Sequence, residues 1–194
     1  GRLYRYFYIY FECFSIHTSE TLFLLVLSIL AMESADSIRS LYRHFLSGIT
    51  RKSLNAFYYA CSYAKADFSA FMNVTAAIAL KLIPKDLFLQ PVFLCIDDTM
   101  VTKFGKTFEN VSKLFDHAAH NGSNYLNGHC FVSVMPCVPL WNKNTIHYLS
   151  VPLGYRMWQK VESKLELAAS MVRQVMPALS KIKNVIILCD SWYV

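Results

Sequence analysis

Two adjacent carboxylates, Asp97 and Asp98, close an apolar run in "LCIDDTM", and Asp190 closes another in "NVIILCDSWY". Carboxylates brought together from distant positions repel each other, and a hard divalent cation with oxygen ligands is the natural compensation. Mg2+ takes one or two carboxylates and fills its remaining positions with water and substrate phosphate. In paired-metal sites such ions activate a nucleophile and stabilise the leaving oxygen of an in-line phosphoryl displacement. These residue types therefore allow metal-assisted phosphoryl transfer, if the fold sets Asp190 beside Asp97 or Asp98. An aspartate just past a strand also serves as a turn or cap residue. The positioning elements decide between the two.

"VFLCI" (92–96) and "VIIL" (185–188) are continuous apolar runs of the kind found in strands buried on both faces. A polar stretch, 99–128, follows the first of them. "HCFVSVMPCV" (129–138) and "HYLSVPLGYRMW" (147–158) read as two more strands, paired antiparallel across the turn-rich "PLWNKN". From 160 to 179, Leu165, Ala168, Ala169, Val172, Val175, Met176 and Leu179 mark one helical face, with Lys164, Glu166, Ser170 and Arg173 on the other. The order from 92 is strand, strand, strand, helix, strand. A right-handed crossover through the helix returns the last strand parallel to the first and brings the aspartates to one carboxyl edge, where open α/β sheets hold their sites.

Residues 18 to 83 read as helical throughout, starting at Thr18-Ser19-Glu20. The run "LFLLVLSILAM" (22–32) reads as a buried helix, too short for a bilayer span of about 20 residues. Asp36 and Gly48 are the expected cap and stop of a helix carrying Ile38, Leu41, Tyr42 and Phe45. Asp67 and Pro84 bound a later one. Pro84 and Pro91 bracket the change of character, giving a helical region 1–90 and a sheet region 91–194. The chain carries net charge +6 without a basic block, since residues 1–90 hold nine Lys/Arg against six acids and 91–194 ten against seven. That permits a nucleic-acid partner without implying one. The six cysteines form no CxxC pair and read as small buried hydrophobes of a reducing compartment.

In combination, "LCIDDTMVTKFGKTFENVSKLFDHAAHNGSNYLNGHCFVSV", "YLSVPLGYRMWQKVESKLELAASMVRQVM" and "NVIILCDSWY" resemble the catalytic domain of bacterial insertion-sequence transposases with a DDE site and an RNase H-like fold. The helical "SADSIRSLYRHFLS" and "TRKSLNAFYY" resemble the segment that precedes that domain. The resemblance implies an RNase H-like mixed sheet, Mg2+ or Mn2+ as cofactor, and cytoplasmic DNA cleavage and transfer at insertion-sequence ends. It also implies a homo-oligomer in the full-length protein, with DNA ends and target DNA as partners and no membrane. By the match to "DDT", the first catalytic and metal-holding aspartate is Asp98, ahead of Thr99, with Asp97 the lesser choice. The second is Asp190. The family's third acid, a glutamate on a later helix, has no counterpart before the chain's last residue, Val194. The expectation is thus an incomplete, inactive piece, with a non-catalytic DNA- or partner-binding remnant as the alternative.

Asp116, His117, His120, His129 and Cys130 lack regular zinc-finger spacing. Ser191 lacks the glycines of a nucleophile elbow. Lys103, Lys106 and Lys113 lie just past Asp98 and suit a DNA backbone or a solvated loop equally. Arg39, Arg43, Arg51 and Lys52 are the basic residues of the helical region that DNA would meet.

Overall fold

The computed structural model describes residues 2–34, 37–105, 108–115 and 124–190. The chain divides into two compact units, Gly1–Val74 and Thr75–Val194. The division falls inside a helix, ahead of the expected boundary at residue 90.

The first unit holds α1 (Arg2–Tyr8), a 3-10 turn, α2 (Ile16–Ala31), α3 (Ile38–Leu41), a π-turn (Tyr42–Leu46), α4 (Ser47–Ile49), α5 (Leu54–Ser62) and the start of α6 (Phe68–Lys81). It is not helical throughout: extended residues at 50–53 and the stretch 63–67 break it. α2 starts earlier than expected because Ser15 caps it, its hydroxyl accepting from the Thr18 amide at 3.4 Å. Nor is α2 a buried apolar helix. Its buried residues are Ser19, Thr21 and Ser28, while Leu30 is 64% exposed. Short hydroxyl side chains allow close approach, and each bonds a main-chain carbonyl: Ser19 to Phe11, Thr21 to His17, Ser28 to Leu25. Leu24 and Leu25 pack on the small core of Leu41, Leu46 and Phe57. Gly48 does not stop the next helix; it lies within α4, and Thr50 turns extended after it. Ser37 caps α3, and the expected cap Asp36 lies outside the described residues. Asp67 does cap α6, accepting from the Ala70 amide at 2.9 Å.

The second unit is mixed α/β. Six strands form one mixed sheet: β1 (Val92–Thr102), β2 (Ser112–Phe115), β3 (Tyr125–Asn142), β4 (Thr145–Ser150), β5 (Gly154–Met157) and β6 (Val185–Cys189), with α7 (Lys164–Leu179) between the last two. The order is β2-β3-β1-β6, and β4 and β5 both pair with β3. β1 runs antiparallel to β3 and parallel to β6, so the helix makes the crossover read from the sequence.

The differences lie in the polar segments. β1 continues through Asp97 and Asp98, poor strand formers, to Thr102, held extended by pairing with 128–133 of β3. β2, unexpected within the polar stretch, has one well-buried apolar anchor, Leu114. The expected strand 147–158 is two strands parted by Val151-Pro152-Leu153, each pairing with a different half of the 18-residue β3. β6 is an edge strand among the described residues rather than a buried one, and Ile186, Ile187 and Leu188 are each about half exposed.

Burial alternates along β1, with Val92, Leu94 and Ile96 inside. Val132, Val134 and Val138 of β3 and the stripe Leu167, Ala168, Met171, Val172, Val175 and Leu179 of α7 complete the core. Arg156 of β5 ties the helix down by donating to Ser170 and Gln174. Gly128, paired with both Thr102 and Ser112, stands where three strands meet, and a Cβ there would overlap the Val101 carbonyl oxygen. Gly128→Ala is therefore expected to cost about 1–3 kcal/mol in urea denaturation, because backbone rather than a flexible side chain must give way.

Candidate functional site

The site begins at the first turn of α7. Ser163 and Glu166 form a reciprocal capping box: the Ser163 hydroxyl accepts from the Glu166 amide, and the Glu166 carboxylate accepts from the Ser163 amide at 2.8 Å. The bond from the Ser163 backbone, then that from its side chain, holds the Glu166 carboxyl below its ordinary range. This fixes Lys164 as the first helical residue. Its ammonium donates to Oδ2 of Asp98.

Asp98 shares the sheet face of Val92, Leu94 and Ile96, since alternate residues of a strand face one way. Its Oδ2 also accepts from the Cys130 thiol at 3.3 Å. Cys130 is almost fully buried on β3, and the Trp158 amide donates to its carbonyl at 2.8 Å. The Trp158 ring lies 5.3 Å from the Lys164 nitrogen. The pair is partly sheltered, with side-chain exposures of 31% for Lys164 and 22% for Asp98. Burial pushes the Cys130 thiol up to about 11; Lys164 pulls against that and Asp98 adds to it. Burial alone would lower Lys164, but its bond to Asp98 and its interaction with Cys130 outweigh that and hold it raised. At neutral pH the thiol keeps its proton and the lysine its charge, so both donate to the carboxylate.

Asp97 points to the other face, with Phe93 and Cys95, and is exposed. Its Oδ1 accepts from the Asp98 amide at 2.8 Å. Asp190 follows the last residue of β6. The final lateral pair is Ile96 with Cys189, so Asp97 and Asp98 on β1 and Asp190 after β6 come just beyond the last paired residues of the two parallel strands, while β1 itself runs on to Thr102. One further step of that register sets Asp190 level with Asp97. β6 ends at Cys189, so the ladder does not extend to Asp190.

The other candidate residues disperse. His129 bonds the Glu109 carbonyl at 2.8 Å, while its neighbour Cys130 turns to Asp98 on the opposite face. Asp116, His117, His120, Lys106 and Ser191 lie outside the described residues. Lys103 and Lys113 sit over the rings of Phe108 and Tyr125. Lys52 pairs with Glu20 at 3.8 Å. Among the described residues no three His, Cys, Asp or Glu side chains group to hold a metal, and no helix is long and apolar enough to cross a membrane. Carboxylates such as Asp98 and Asp190 are the hard oxygen donors that Mg2+ takes, with water and phosphate completing its shell. Asp98 already attracts a cation, the lysine ammonium.

Lys164, expected on the polar face of the helix, instead turns to Asp98. The signal was present: Lys164 precedes Leu167, Ala168, Met171, Val172 and Val175 at i+3, i+4, i+7, i+8 and i+11, the spacing of the buried stripe. Taking Leu165 as the first apolar position shifted the stripe by one residue, and Leu165 is in fact 52% exposed.

A scan against protein-family models finds no match for the chain, and a search of curated proteins finds none.

Proposed function

We propose that this chain carries part of an RNase H-like DDE catalytic domain and belongs to a cytoplasmic DNA transposase acting at insertion-sequence ends. The observation that supports this reading most is the parallel β1–β6 pairing through α7, whose last pair, Ile96 with Cys189, stands two residues before Asp98 and one before Asp190. The motif order "DDT", "GHCFVSV", "CDSWY" adds to it. In this reading Asp98 and Asp190 hold Mg2+ or Mn2+, with insertion-sequence ends and target DNA as partners and a homo-oligomer as the working form. The bound ion would supply charge to activate a nucleophile and stabilise the leaving oxygen. The protein's own part is to fix the carboxylates: Cys130 and Lys164 orient Asp98, and the capping box orients Lys164.

A second reading, a non-catalytic DNA- or partner-binding module, is favoured by one observation. Asp98 is already neutralised by Lys164. The test compares these 194 residues with a chain extended by a helix bearing a glutamate, on DNA carrying the element's ends in Mg2+. With two of three acids, the 194 residues are expected not to cut, because in-line transfer needs every metal ligand in place. The extended chain is expected to nick DNA and to lose that with Asp98→Asn. Cleavage by neither chain would favour the binding module. Cleavage by the 194 residues alone would show that a third acid is dispensable or lies among them.

A further inference from the structure

Lys164 is a cation placed against two opposing forces. It occupies the first residue of α7, where the amide dipoles repel positive charge. It is also partly withdrawn from water, and burial by itself disfavours its charged form. What holds it there is local: the Asp98 carboxylate, the Cys130 thiol and the Trp158 ring, drawn from two strands and the segment ahead of the helix. The ammonium thus sits on a carboxylate oxygen that an oxygen-seeking metal would need.

We infer that Lys164 is a positioning residue that serves as the resident counter-ion of Asp98 and couples metal binding to phosphate binding. Resting on the metal-site reading above, this deepens it. A divalent ion entering at Asp98 must displace the ammonium. Displacement in the absence of phosphate strands a partly desolvated positive charge beside the metal, which opposes binding. When a DNA phosphate lies at the same edge the ammonium has an anion to move to, and the opposition is removed. Metal and DNA then bind each other's complex more tightly than either binds alone, with Lys164 as the link.

The test measures Mn2+ affinity by electron paramagnetic resonance for the wild-type chain, Lys164→Met and Lys164→Arg, each with and without a short duplex oligonucleotide. Methionine keeps an unbranched stem over Trp158 without the charge; arginine keeps the charge. Without duplex, Lys164→Met should bind Mn2+ about tenfold more tightly than wild type, the scale of one charge-assisted hydrogen bond. Lys164→Arg should stay within about twofold of wild type. Duplex should tighten Mn2+ binding to wild type by a similar factor and leave Lys164→Met unchanged. Equal Mn2+ affinities for wild type and Lys164→Met overturn the inference and leave the metal site standing. An unchanged wild-type affinity on adding duplex overturns the coupling. Absence of Mn2+ binding to every variant, with or without duplex, overturns the metal-site reading and the inference together.

Discussion

Leu94→Ala is expected to destabilise the sheet unit by about 2–5 kcal/mol, read as a lowered urea midpoint with an unchanged slope. Leu94 is fully buried near the start of β1. It stands opposite Pro136 on one side and Ile187 on the other, so the strand is pinned from both edges and closes poorly over a cavity. The loss of transfer free energy and the unfilled volume therefore add. The same strand carries Asp97 and Asp98, one and two residues beyond Ile96, the last buried residue of its core face. Loosening it should blur the site before it unfolds the unit, because the pairing of Asp98 with Val132 depends on the register that Leu94 anchors.

Asp98→Asn is expected to abolish divalent-cation binding at this edge and to cost about 1–2 kcal/mol of stability. Asparagine keeps the shape and one carbonyl acceptor but not the charge, so Lys164 is left partly sheltered without a counter-ion. Removing one partner of a fully buried ion pair costs more than this; the solvent that reaches Lys164 and Asp98 reduces the penalty. Asp97→Asn is the control. Asp97 is exposed, and an amide oxygen can still accept from the Asp98 backbone, so stability should shift by no more than about 0.5 kcal/mol. Calorimetric titration with Mn2+ separates the two. Heat lost with Asp98→Asn and kept with Asp97→Asn supports Asp98 as the metal-holding residue. The reverse pattern would transfer that role to Asp97, which one further step of the β1–β6 register would set level with Asp190.

Legibility followed apolar periodicity. The runs 92–96 and 185–188 carry enough Val, Ile and Leu to declare strands alone, and the helix between them dictates a parallel return, so the crossover and the parallel pairing of the two strands were readable. What escaped was whatever depended on a partner. Asp97 and Asp98 have no strand propensity of their own and are extended because β3 is long enough to pair with them. The "SKLF" strand is too short to stand out from its polar neighbourhood. The half-exposure of β6 is a matter of its place at an edge, which composition does not encode. At the site the carboxylates were visible as a motif, but the lysine was not, because a charge on an apolar stripe reads as polar face until the stripe's phase is fixed by packing.

The central claim is that Asp98 and Asp190 together form an oxygen-donor site for a divalent metal just beyond the last paired residues of β1 and β6. Mn2+-induced broadening in the backbone NMR spectrum of the chain tests it directly. The account predicts that the signals of Asp98 and Asp190 and their immediate neighbours broaden first and together, that Mg2+ in excess restores them, and that Zn2+ binds no more tightly. Broadening confined to residues away from Asp98 and Asp190, or tight stoichiometric zinc held through His117 and His120, would contradict it.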